Sequence, residues 1–130
     1  MIDQDNTFEQ DGLRIRVTRA RGSGKMVWTG SSDSRQPNQF LTPVIRRVVE
    51  AMKGAHLTID FRKLEYMNSS TVSSILSLLK SLDREEIETD VVFADSDWQL
   101  THLRCMRTVT RVLKFITVGG ESDGLPRSEK

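Results

Sequence analysis

The chain holds one cysteine, Cys105, so no internal disulfide can brace its fold, and a reducing compartment suits it. Its only histidines are His56 and His102, which with Cys105 fall short of a four-ligand zinc site. No apolar run approaches the ~20 residues that cross a bilayer. The formal net charge is +1, which gives no electrostatic pull toward nucleic acid or an anionic membrane. The opening "MIDQDNTFEQDG" has neither the basic start nor the apolar stretch of a secretory signal. These absences predict a cytoplasmic protein that inserts into no membrane, contacts no nucleic acid directly, and carries no metal or cofactor.

What remains is 130 residues with 37% hydrophobic and 28% charged content, enough to bury the core of one domain. A polar segment, residues 1–12, precedes it. In "LRIRVTRA", Leu13, Ile15 and Val17 alternate with polar residues, as in a half-buried strand. "RGSG" is a tight turn, and "KMVWTG" returns as a second strand. After the polar loop "SSDSRQPNQ", the segment "TPVIRRVVEAMKGA" predicts a helix capped by Thr42, with Pro43 at its first position. "HLTIDF" is a strand, residues 69–82 a helix, "TDVVFAD" a strand, "SDWQLTHLRCMRTV" a helix and "VLKFITV" a last strand. The order β-β-α-β-α-β-α-β predicts an α/β fold with a mixed, mostly parallel sheet and an antiparallel N-terminal edge hairpin. Residues 13–118 form the expected domain, and residues 119–130 the expected mobile polar tail.

Several motifs carry no chemistry. "RGSGKM" lacks the first glycine of a phosphate-binding loop, has Met where Ser or Thr belongs, and precedes a strand instead of a helix. His102 and Cys105, three apart, read as packing residues on one helix. Arg14, Arg16, Arg19, Arg21 and Lys25 read as the charged dressing of an edge hairpin. No nucleophile–base pair marks a small enzyme.

The unusual stretch is "YMNSSTVSSILSLLKSL". On a helical wheel, Val72, Ile75, Leu79 and Leu82 share one side, with Leu76 and Leu78 beside them. Ser70, Ser73, Ser74, Ser77 and Ser81 fall opposite. An exposed helix face ordinarily carries Glu, Lys and Arg, which are better helix formers than serine. Small neutral side chains let another protein come close at little entropic cost. Asn68 is a strong cap, which leaves Ser69 in the first turn, where backbone N–H groups and the helix dipole tolerate a phosphate. A phosphate there adds about −1.5 to −2 charge to a nearly uncharged face.

The run "HLTIDFRKLEYMNSSTVSSILSLLKSL" resembles the signature of STAS domains, shared by sulphate transporters and bacterial anti-sigma factor antagonists. That signature is an apolar strand ending in Asp or Asn, a linker, an apolar pair, and Asp-Ser-x-Gly opening a Leu-rich helix. The strand, helix and strand of "DVVFADSDWQLTHLRCMRTVTRVLKFITV" follow in the same order. The resemblance spans roughly Leu13 to Val118, and it marks a divergent member, with Asn68 in place of the aspartate and Thr71 in place of the glycine. It implies a switch that is not itself an enzyme. Ser69, or second to it Ser70, accepts phosphate from a serine kinase that is also an anti-sigma factor, and a PP2C-type phosphatase removes it. Asn68, Ser70, Thr71, Ser73, Ser74 and Ser77 would meet the partner, joined by Asp33 of the "SSDSRQP" loop. The other function the resemblance allows is a constitutive accessory subunit of a transporter or scaffold, with no phosphorylation. The sequence leaves the oligomeric state open.

Overall fold

The computed structural model describes residues 4–125. Seven strands form one sheet: β1 (Gln4–Gln10), β2 (Leu13–Ala20), β3 (Ser23–Ser32), β4 (His56–Asp60), β5 (Leu64–Met67), β6 (Thr89–Phe93) and β7 (Ile116–Gly120). Three α-helices connect the parallel part: α1 (Asn38–Ala51), α2 (Ser69–Arg84) and α3 (Asp97–Thr110). A short 3₁₀ turn covers Glu121–Asp123. The sheet order is β1-β2-β3-β4-β6-β7, antiparallel through β3 and parallel from there on. Each crossover steps one way along the sheet, and right-handed crossovers that all step one way put α1, α2 and α3 on one face.

The mixed, mostly parallel α/β plan is the one the alternating elements predict, with two further strands. β1 pairs with Leu13–Arg19 of β2, so it takes the edge that the β2–β3 hairpin was expected to occupy. "QDNTFEQ" holds one large apolar side chain, Phe8, so it carries no period-2 signal. It is recruited by charge as well as backbone pairing: Asp5 accepts from Arg16 at 2.8 Å, and Glu9 pairs with Arg14. Arg19 instead reaches the far end of α1 and donates to the carbonyls of Ala51 and Lys53. Three arginines of the basic hairpin therefore have structural partners.

The second added strand decides the position of the site. β3 is ten residues long, and two strands share its one side. Ser23–Val27 pair with β4, and Gly30–Ser32 pair with β5 after a register shift between Gly30 and Ser31. β5 thus continues the line of β4 and delivers Met67 opposite Ser32. The turn between β4 and β5 is held by Gln99 of α3, whose buried amide donates to the carbonyls of Phe61 (2.7 Å) and Leu64 (3.0 Å).

Between helices and sheet lies one core. Ile15, Met26, Trp28, Leu57, Ile59, Val91 and Phe93 from the strands meet Leu41, Val48, Ile75, Leu78, Leu79, Leu82, Leu103 and Met106 from the helices. Trp28, Phe61 and Phe93 form a chain of rings with centroids 5.2 Å apart at each step.

Some boundaries differ from those expected. α1 starts at Asn38, one turn before Thr42, with Pro37 as its N-cap, so Pro43 lies inside the helix. β7 starts at Ile116, and Val112, expected within it, is 82% exposed in the preceding turn. β7 runs on through Gly120, and Leu125 is buried. Residues 1–3 and 126–130, within the polar segment and tail expected from the sequence, lie outside the described residues.

Candidate functional site

The site is where β5 ends and α2 begins. Asn68 is the N-cap of α2, in extended conformation (φ −88°, ψ 174°). Its Oδ1 accepts from the Thr71 backbone N–H at 2.9 Å and from the Thr71 hydroxyl at 2.8 Å. Its Nδ2 donates to the Ser34 carbonyl at 2.8 Å, and its backbone N–H donates to the Ser32 carbonyl at 3.0 Å. The Thr71 and Ser32 hydroxyls share a buried hydrogen bond of 2.6 Å. The loop of residues 33–37 is thereby tied to the start of α2, just beyond the paired ends of β3 and β5.

Ser69 is the first residue of α2 and is exposed. No hydrogen bond engages its hydroxyl among the described residues, because Asn68 caps through Thr71. The first N–H groups of a helix lack intrahelical partners, so Ser69 sits at the positive end of the helix dipole. No acidic residue lies in the first turn.

The remaining serines divide. Ser70, Ser73 and Ser77 are exposed, as is Asp33 on the neighbouring loop. Asn68 is half-buried. Thr71, expected to meet the partner, and Ser74, expected on the outer face, are buried at 0% and 4% exposure. Ser74 Oγ donates to Asn38 Oδ1 at 2.5 Å across the seam between α1 and α2. The inward face of α2 is therefore turned toward Thr71, Ser74 and Leu78, and Val72 and Leu76 are left half-buried. An apolar-only wheel misses this because a helix–helix seam admits small hydroxyls that find a partner.

The exposed residues form a strip along α2: Ser69, Ser70, Ser73, Ser77 and, one turn on, Lys80. Tyr66, 49% exposed, stands just before the cap. A cavity of about 10 Å³ beside Ser32, Asp33 and Ser34 is no larger than one water requires. The strip is small and nearly uncharged, with the hydroxyls of Ser69, Ser70, Ser73 and Ser77 on its exposed side.

Sequence reasoning did not find Ser32, Ser34 and Asn38, which hold the site from the other side. Their partners are 34 to 39 residues away in sequence. The one local signal was the density of small polar residues in "SSDSRQPN".

Charge elsewhere serves the fold. Burial opposes the charged form of Asp60 at the end of β4, but side-chain and backbone hydrogen bonds from Arg62 outweigh it and hold the carboxyl below its ordinary range. Asp123 is likewise lowered, first by the Gly120 backbone N–H and then by Arg107. Burial lowers the pKa of His102, which stands edge-on to Trp98. Among the described residues, no three His, Cys, Asp or Glu side chains are grouped to hold a metal. No described helix is long and apolar enough to cross a membrane.

SiaC of Pseudomonas aeruginosa has a similar structure, with a TM-score of 0.63 over 91% of this chain and 99% of that one at 13% identity. An uncharacterised protein of Shewanella loihica with a SpoIIAA-like fold aligns with a TM-score of 0.53, over 90% of this chain and 94% of that one, at 15% identity. At these identities the two structures establish the fold alone, the mixed sheet with helices that the STAS resemblance implied. No curated protein matches the sequence. The SiaC family, described as regulatory phosphoproteins, matches residues 14–95, which include the β3–α1 loop, Asn68 and all of α2. The chain belongs to the SiaC family of regulatory phosphoproteins.

Proposed function

We propose that this protein is a partner-switching signalling domain whose switch is Ser69. Unphosphorylated, it binds a serine kinase of the anti-sigma factor type through Asn68, Ser69, Ser70, Ser73 and Ser77 of the α2 surface, with Asp33 beside them. Phosphorylated, it releases that partner. Membership of a family of regulatory phosphoproteins supports phosphorylation as the control and does not favour a constitutive accessory subunit.

The observation that carries the assignment is the state of the Ser69 hydroxyl: exposed, at a helix start, and without a hydrogen-bond partner among the described residues. In the forward step the Ser69 oxygen bonds to the γ-phosphorus of ATP held by the partner. The bond from that phosphorus to the β–γ bridging oxygen breaks, ADP leaves, and a base on the partner takes the hydroxyl proton. In the reverse step a phosphatase of the PP2C type uses water to return serine and inorganic phosphate. The protein supplies the accepting hydroxyl and the recognition surface, and the chemistry is performed by its partners in the cytoplasm.

A phosphate on Ser69 is tolerated by the fold because the helix start favours negative charge. It is not tolerated by a partner packed on the strip, which would have to desolvate it. The cost falls on the complex and spares the host.

The test is to purify the protein from its own cells with phosphatase inhibitors present and to map its phosphate by mass spectrometry. Phosphate at Ser69 is expected. Phosphate confined to Ser70 or to another residue contradicts the assignment.

A further inference from the structure

We infer that Asn68 is a positioning residue whose side-chain amide, through its donor arm, fixes the β3–α1 loop against the start of α2 and so sets the surface that flanks Ser69. The bearing on Ser69 rests on the function proposed above, while the geometry stands without it.

Asn68 makes two kinds of contact at once. Its oxygen accepts from the Thr71 N–H at 2.9 Å, and its nitrogen donates to the Ser34 carbonyl at 2.8 Å. A backbone N–H can only donate and a backbone carbonyl can only accept, so the orientation of the amide is dictated by its partners. Aspartate and serine cap helices as well as asparagine does. Neither can do both things here. An ionised Asp has no donor and would set an oxygen against the Ser34 carbonyl, and a serine hydroxyl is too short to span both partners. The helix start needs only a cap, so the choice of asparagine answers a demand from the loop.

On its far side the loop is tied to α1, where Gln39 donates through its backbone N–H (3.3 Å) and its side-chain amide (2.8 Å) to Gln36. Residues 33–37 belong to neither β3 nor α1, and within it Gln36 N–H donates to Ser34 Oγ at 3.1 Å. Its anchor to α2 runs through Ser34 to Asn68, with the Ser32–Thr71 bond at its base. Asp33, exposed and next to the anchored Ser34, is carried by this bond. Releasing the Ser34 tie loosens the loop that carries Asp33 and leaves the cap of α2 intact.

The clamp predicts a pH signature in a variant. Protonated, the side chain of Asn68→Asp regains a donor and can again reach Ser34. The charged groups on the elements around Asn68 are Asp33 and Arg35 on the loop, Glu65 on β5, Lys25 on β3, Arg46, Arg47 and Glu50 on α1, and Asp11 in the β1–β2 turn, with none on α2 before Lys80. The wild type contains all of these, so its own titration is the baseline.

The experiment is amide NMR on the full chain for the wild type, Asn68→Asp and Asn68→Ala. In Asn68→Asp at about pH 7, order parameters at Ser34–Gln36 should fall from the rigid range near 0.85 to below about 0.6, while the Thr71 amide keeps its exchange protection. As pH is lowered toward about 4, the loop signals should move back toward the wild-type positions along a single carboxyl titration absent from the wild type. In Asn68→Ala, loop order and Thr71 protection should both be lost at every pH. Wild-type loop order in Asn68→Asp at about pH 7, or joint loss of loop order and Thr71 protection in that variant, overturns the inference. None of these signals depends on a phosphate, so this inference and the Ser69 assignment can fail separately.

Discussion

Ser74 donates to Asn38 across the seam between α1 and α2, so one serine of the apparent contact face holds two helices together. Its hydroxyl is buried and also lies 3.3 Å from the Ser70 carbonyl. Ser73, one residue earlier, is exposed. Ser74→Ala should cost about 1 kcal/mol, whereas Ser73→Ala should stay within about 0.5 kcal/mol. Urea denaturation of both variants checks this, with unchanged slopes and a lower midpoint only for Ser74→Ala. Equal midpoints would return Ser74 to the outer face.

Thr71 is predicted to matter more for stability than for recognition. Thr71→Val keeps the shape of the side chain and removes the hydroxyl that pairs with Ser32 and Asn68. The Ser32 hydroxyl, buried with its residue at 4% exposure, is then left without that partner. A loss of about 1–3 kcal/mol is expected, read as a drop in the thermal midpoint. An unchanged midpoint would show that the network contributes nothing.

How much of this is legible in the sequence follows from where each signal lies. β4 and α2 are plain because their apolar residues repeat at a strand or helix period, and β6 because Val91, Val92 and Phe93 form a short apolar run. β1 was invisible: its pairing with β2 comes from backbone bonds and the Asp5–Arg16 and Glu9–Arg14 pairs, none of which leaves an apolar pattern. Asn68 was identified as a cap, yet its hold on Ser34 spans 34 residues and has no local trace. Thr71 and Ser74 were misplaced because hydropathy cannot distinguish a hydroxyl facing water from one facing Asn38 or Ser32.

The Asp60–Arg62 pair predicts a pH dependence of stability. The Asp60 carboxyl has a folded pKa below its ordinary 3.8, so its charged form is favoured in the folded state. Its contribution is fully present above pH 3.8 and is lost as pH falls through the lower folded value. Arg62→Ala should therefore destabilise the protein by about 1–3 kcal/mol at neutral pH. The gap to the wild type should narrow in acid. Chemical denaturation from about pH 7 to about pH 3 measures this, and a gap that holds constant across the range would contradict it.

Ser69 is where the functional account stands or falls, and two substitutions bracket it. Ser69→Ala keeps the strip small and neutral, and Ser69→Asp places a charge at the helix start, where the fold accepts it. Both variants should unfold at midpoints near that of the wild type.

The most direct measurement is the affinity of the native partner, isolated from the source cells with the wild-type protein as bait, for the two variants by titration calorimetry. Ser69→Ala should bind as the wild type does, and Ser69→Asp at least about tenfold more weakly, a difference of about 1.4 kcal/mol. Equal affinities for Ser69→Ala and Ser69→Asp would contradict the switch.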